Sequence, residues 1–250
     1  SLQNRINKIR TAEVETAEQL EAALNNKVIN KIIFKANITV SKHLYIRNAN
    51  IVIDGKKNEQ ENFILKASNN VVKDEWGRNS ILTIESANGV KISNLIIDAS
   101  SANADLSDQG EVKWDSLYAL QVFNSTGVEL NNLTLVGGDV GLLINSAHVT
   151  VNNVKTQNNQ FGGIEVSKSS TPGITSDPKL TIKGTSIHDD AENTPHIWID
   201  GKITNNEGGE PWIVDKTGTN EAGTYNYTKV ITDGGKHQLW FFNENPDGQI

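Results

Sequence analysis

The sequence of 250 residues contains no cysteine and no methionine, and its only arginines are Arg5, Arg10, Arg47 and Arg78. Without cysteine there is neither a disulfide framework nor a thiolate metal site. Methionine is missing even at position 1, so Ser1 is expected to open an excised fragment or a processed chain. The lack of a leader then says nothing about the parent protein. No apolar run approaches the ~20 residues that cross a bilayer, so membrane insertion is not expected. The formal net charge is −7, which argues against nucleic acid or an anionic membrane as the main partner, since both need a basic footprint. An acidic polysaccharide would need a local basic patch, a bridging cation or a lowered pH. Hydrophobic residues make up 36%, a modest share that suits an elongated body with a thin core.

What the sequence does have is a repeat. The stretch from Phe123 to Leu135 aligns without a gap on Ile144 to Thr156, at a shift of 21 positions. Both copies read as a short strand ending near Asn-Ser, a tight bend, alternating β-branched or Leu residues, then Asn-Asn and another strand. A period of that length with no helix in it predicts the coils of a parallel β-helix, three short strands to a coil. Each strand then pairs with its counterpart one coil away at ~4.8 Å, so that like stacks on like. Positions 128/149, 130/151, 133/154 and 123/144 are expected to form inward ladders. Asn94, Asn132 and Asn153 are expected at one corner, where amides can bond along the axis and Asn tolerates the left-handed bend.

The rest of the chain fits this plan. Residues 1–10 are polar and carry no signal. Thr16-Ala17-Glu18-Gln19 has the form of a capping box, with Leu20, Ala23 and Leu24 on one face, and predicts a helix over about 16–25. Such a helix would cap the exposed end of a solenoid. Strands follow at Lys31 to Phe34, Ile38 to Val40, Leu44 to Ile46 and Ile51 to Ile53, each bounded by turn-forming residues. Ser86 is aligned with Ser125, which leaves an acidic insertion over 99–116. A second polar excursion spans about 203–236. One domain over 1–250, with coils over about 30–242, is the organisation expected.

The capped helix, the rapid Ile/Val strands ending Ile51-Val52-Ile53-Asp54-Gly55 and the 21-residue coils together resemble the pectate-lyase-like superfamily of right-handed β-helices. Within it, the chain is most similar to the pectate-lyase-like adhesive domains of Gram-positive surface proteins, including the binding regions of serine-rich repeat adhesins of lactobacilli. The resemblance covers about 12–242 and implies an all-β, right-handed parallel β-helix with a short N-terminal capping helix. It also implies an extracellular domain, held on the cell wall by parts of the parent protein outside this sequence.

Lyases of the superfamily use an Arg base in an Arg-x-Pro-x-x-Arg setting, with Ca2+ held by acidic residues. Neither Arg47 nor Arg78 sits in that setting, and Arg5 and Arg10 precede the cap. The hydrolases use clustered Asp with Gly-His-Gly and Arg-Ile-Lys elements. Here only His188-Asp189-Asp190 offers a carboxylate pair, of the kind that can work on a glycosidic bond; at a strand end it reads as a solvated turn. No catalytic residue is assigned.

Asp105, Asp108, Glu111 and Asp115 form an oxygen-rich cluster of a type that suits Ca2+, without the spacing of a helical Ca2+ loop. The same residues read more simply as an acidic solubilising loop, so no obligatory cofactor is assigned. Aromatic residues near the loops are the better lead. Trp76 and Arg78 lie in a polar loop, Trp114 and Tyr118 flank the end of the acidic insertion, and Trp198 sits between Ile197 and Ile199. Sugars bind by stacking on exposed aromatic faces carried on rigid scaffolds. The plain alternative for each is partial burial under a loop.

The function expected is a non-catalytic adhesin module, monomeric as an isolated domain, that binds a pectin-like, host or plant-surface polysaccharide or a matrix component. The alternatives are a lyase or glycoside hydrolase acting on acidic polysaccharide, and a passive stalk.

Overall fold

A computed structural model describes residues 1–68, 79–104, 117–176, 178–183, 186–191, 194–199, 213–215, 230–232 and 238–241. Residues 6–9, 79, 103–104, 186, 195, 198–199, 213–215, 230–232 and 238–241 are described by their backbone alone.

The chain opens with a helix, α1 (Leu2–Ile9), in the stretch whose composition gave no signal, and a strand, β1 (Thr11–Val14). Then comes the expected cap, α2 (Ala17–Asn25). The Thr16 hydroxyl accepts from the Gln19 amide at 3.2 Å, and Gln19 Oε1 accepts from the Glu15 amide at 2.8 Å. The first bond satisfies one of the N–H groups that a helix start leaves open, and the second ties down the residue before the cap. Leu20, Ala23 and Leu24 are buried, as their spacing predicts.

The first coils comprise β2 (Lys31–Phe34), β3 (Ile38–Val40), β4 (Leu44–Ile46), β5 (Val52–Asp54), β6 (Phe63–Ala67), β7 (Asn79–Glu85) and β8 (Lys91–Asp98). A five-residue helix, α3 (Ser100–Ala104), falls inside the expected insertion. The repeat region is built from β9 (Leu117–Phe123), β10 (Val128–Val136), β11 (Val140–Asn145), β12 (His148–Asn152), β13 (Lys155–Gln157) and β14 (Gly162–Ser167). Six further strands follow: β15 (Lys179–Lys183), β16 (Ser186–Asp189), β17 (Pro195–Ile199), β18 (Ile213–Asp215), β19 (Val230–Thr232) and β20 (Gln238–Phe241).

All named strands pair in parallel and the chain is a parallel β-helix with three faces. One face runs β1-β2-β5-β8-β10-β12-β15-β18, and a second runs through β3, β6, β13, β16 and β19. The two share the long strands β8 and β10. Each of these bends at an asparagine in the left-handed region, Asn94 (φ 56°) and Asn132 (φ 50°), so its two halves pair on different faces. The third face is a separate seven-stranded sheet, β4-β7-β9-β11-β14-β17-β20.

Like does stack on like. Ile32, Ile53, Ile92, Leu130, Val151 and Ile182 are register partners in series, all buried. The expected ladders 128/149 and 130/151 are present, and Leu133 and Val154 are both in the core. The 123/144 ladder is not. Ile144 pairs with Val122, and Phe123 pairs with Asn145 on the outer side. The cause is the length of the bend. Between the paired residues Phe123 and Asn145 on one side and Val128 and Val149 on the other, the first copy has four residues, 124–127, and the second three, 146–148. The period is therefore 21 on one face and 22 on the seven-stranded sheet, which a gapless alignment cannot represent. By the same register Ser86 (φ 47°) is equivalent to Asn124 (φ 46°), not to Ser125.

Candidate functional site

The strands of the seven-stranded sheet are unusually apolar in sequence: Leu-Tyr-Ala-Leu-Gln-Val-Phe in β9, Val-Gly-Leu-Leu-Ile-Asn in β11, Gly-Gly-Ile-Glu-Val-Ser in β14. Near-continuous runs of this kind belong to strands buried on both faces. Leu120, Val122, Leu142, Ile144, Ile164 and Val166 fill the core of the helix. Alternation turns Gln121, Leu143, Asn145, Glu165 and Ser167 to the outer side, and all five are nonetheless buried. Tyr118, Val140 and Leu143 form a second apolar cluster, separate from the main core and flanked by Phe161.

Polar groups surround this cluster. The Tyr118 hydroxyl donates to Glu165 Oε2 at 3.1 Å. Gln121 and Asn145, 7% and 5% exposed, have side-chain carbonyl oxygens with no hydrogen-bond partner among the described residues. Such acceptors cost roughly 1–3 kcal/mol each while no donor reaches them, so the patch gains whenever a donor does. In register, Gln121, Leu143, Glu165, Trp198 and Trp240 succeed one another along the helix axis. Toward the N-terminal end of the same sheet, Tyr45 stacks against His43 at 4.3 Å and lies under the Arg47 guanidinium at 4.2 Å. Arg47 Nε donates to Glu85 at 2.6 Å.

A second polar cluster lies inside the helix. The inward row Ile97–Leu135–Thr156–His188 changes from aliphatic to polar partway along. Asp190 accepts from His188 Nδ1 at 2.5 Å, from the Thr156 hydroxyl at 2.6 Å, and from Asn159 Nδ2 and backbone N at 2.6 and 2.9 Å. The other His188 nitrogen faces the Thr194 carbonyl at 3.2 Å, and the ring stacks on His196 at 5.0 Å. Gly141 and Gly163 make the room: a Cβ on Gly163 would meet the His196 carbonyl at 2.7 Å and the Thr156 hydroxyl at 2.8 Å. Asp190 is thus no solvated turn, as the sequence suggested, but the centre of a sealed internal network. His188 is fully buried, so this His-Asp pair holds the coil together and is not presented to a substrate.

Of the residues singled out by sequence, Trp76, Arg78, Trp114, Asp105, Asp108, Glu111 and Asp115 lie outside the described residues. Trp198 is described by its backbone, at the register position beside Glu165. Tyr118 requires a correction: it is fully buried and bonded to Glu165, so its ring is not an exposed stacking platform. Among the described residues no three His, Asp or Glu side chains converge as a metal site requires, and no helix is long and apolar enough to cross a membrane. Gln121, Asn145 and Glu165 were missed; the apolar runs that hold them were the available signal.

The fold and this face define a parallel β-helix that carries a polar patch on the outer side of one sheet. Residues 11–163, more than half of the chain, match the sequence model of the family described as "Putative pectate lyase-like adhesive domain". The chain belongs to that family. Among solved structures it is similar to "a putative glycosyl hydrolase from Parabacteroides merdae ATCC 43184", at 16% identity and a TM-score of 0.50, over 90% of this chain and 92% of that one. A pectin methylesterase mutant in complex with a hexasaccharide aligns over 70% of this chain and 63% of its own, at 15% identity and a TM-score of 0.45. No curated protein matches the sequence.

Proposed function

We propose that this domain is a non-catalytic adhesin module that binds polysaccharide. Family membership supplies the adhesive role. The observation that carries the reading is the match of residues 11–163 to a family of adhesive domains. The domain acts at the cell surface, held on the wall by other parts of its parent protein.

A glycan array probed with the purified chain at neutral and at acidic pH tests this. Binding to one or more polysaccharides is the expected result. An array without hits in both conditions would sink the proposal, as would adhesion to matrix proteins alone.

A further inference from the structure

We infer that the row Arg47–Glu85–Phe123, on the outer side of the seven-stranded sheet, holds a pyranose chain. The inference rests on the polysaccharide-binding role proposed above.

The strand register sets these three residues side by side. Ile46 pairs with Ile84, and Glu85 pairs with Phe123. The neighbours Ile46, Ile84 and Val122 are fully buried in the core, so alternation turns Arg47, Glu85 and Phe123 outward. The Arg47 and Glu85 side chains keep 59% and 35% of their surface exposed. Phe123 is partly exposed and joins neither of the two apolar clusters. A ring that packs into no core and stays open to solvent offers its surface to a ligand.

Arg47 is held in place although it is exposed. Its guanidinium lies 4.2 Å from the centre of the Tyr45 ring, which stacks on His43 at 4.3 Å, and its Nε donates to Glu85 Oε2 at 2.6 Å. A long side chain fixed in this way has little rotamer freedom left to lose on binding. Among the described residues, none accepts from the Arg47 Nη groups and none donates to Glu85 Oε1. The row therefore presents donors and an acceptor side by side, and a sugar hydroxyl both gives and accepts a hydrogen bond. Phe123 supplies the apolar surface for the C–H face of a sugar ring. Successive coils stand ~4.8 Å apart, close to the advance per residue of an extended pyranose chain. A sugar stacked on Phe123 thus places its neighbours over Glu85 and Arg47. The opposite charges of that pair offset one another, so the row reads ring faces and hydroxyls rather than net charge.

A substitution that keeps bulk but removes the ring provides the test. The 250-residue chain is titrated by biolayer interferometry against immobilised polygalacturonate, fully methyl-esterified pectin, galactan and every polysaccharide that a glycan array returns. Phe123→Leu is expected to weaken binding to those the parent binds by about tenfold or more, and Phe123→Tyr to retain it. Arg47→Ala is expected to weaken binding likewise. Lys91→Ala opens a similarly exposed ion pair, with Glu129 on the thirteen-stranded sheet, and is expected to leave binding unchanged. Thermal unfolding checks the fold of each variant, and Arg47→Ala decides alone if Phe123→Leu is unstable. Variants at Phe123 and Arg47 that bind as the parent does overturn the inference and leave the adhesin role standing, as does a loss shared by Lys91→Ala. A parent chain that binds no polysaccharide removes the adhesin role and the inference with it.

Discussion

Asn132 Nδ2 donates to Asn94 Oδ1 at 2.9 Å, and Asn94 Nδ2 donates in turn to Asp54 Oδ1 at 3.1 Å. The side chains at this corner are bonded along the axis, and the same two asparagines hold the left-handed backbone that turns β8 and β10 from one face to the next. Asn132→Ala loses the amide bond and puts a Cβ without compensation at φ 50°. The expected cost is about 2 kcal/mol, shared between the lost bond and the strained backbone. Asn132→Gly loses only the bond and is expected to be the more stable of the two variants. Urea midpoints check the order; an alanine variant as stable as the glycine variant would show that the bend carries no strain.

That corner was legible in the sequence because Asn recurs at the same place in successive coils, at Asn94, Asn132 and Asn153. The seven-stranded sheet was less so, since the bend 146–148 is one residue shorter than 124–127 and shifts every side chain behind it by one place. A slip of one residue exchanges inside for outside, which is how Phe123 came to be assigned to the core. Tyr118 failed for a related reason: proximity to an insertion suggested exposure, whereas the apolar run around it meant burial on both faces. His188 and Asp190 look like turn residues in isolation. Only the row Leu135–Thr156–His188 shows that they point inward.

The internal network yields a sharp contrast between adjacent carboxylates. Asp190 receives four hydrogen bonds and its side chain is fully buried, whereas the Asp189 side chain is 48% exposed and lies 3.7 Å from Lys155 Nζ. Asp190→Ala strands its donors in the interior and is expected to cost about 3–5 kcal/mol. Asp189→Ala is expected to stay within about 0.5 kcal/mol of the parent, as exposed ion pairs usually do. Chemical denaturation of both variants decides it, and equal effects would mean that the network is not closed.

Gly163→Ala tests the fit between the network and the sheet opposite. Its Cβ would come within 2.7 Å of a backbone carbonyl, which cannot rotate away as a side chain can. A loss of about 1–3 kcal/mol is expected from such overpacking. The sharper readout is amide exchange at Asn159, whose N–H donates to Asp190 at 2.9 Å. Exchange there should accelerate relative to amides in β2 and β5, and an unchanged Asn159 would mean that the strand absorbs the methyl group elsewhere.

Tyr118→Phe separates the two roles considered for this ring. A buried hydroxyl that donates to a carboxylate contributes more than a neutral pair, and its loss leaves Glu165 one donor short inside the second apolar cluster. The phenyl ring keeps its packing, so no cavity forms and the effect isolates the hydrogen bond. A destabilisation of about 1.5–3 kcal/mol is expected, measured as a lowered urea midpoint with an unchanged slope. A tyrosine acting as an exposed stacking surface for sugars would behave otherwise, since phenylalanine stacks as well and stability would stay within about 0.5 kcal/mol.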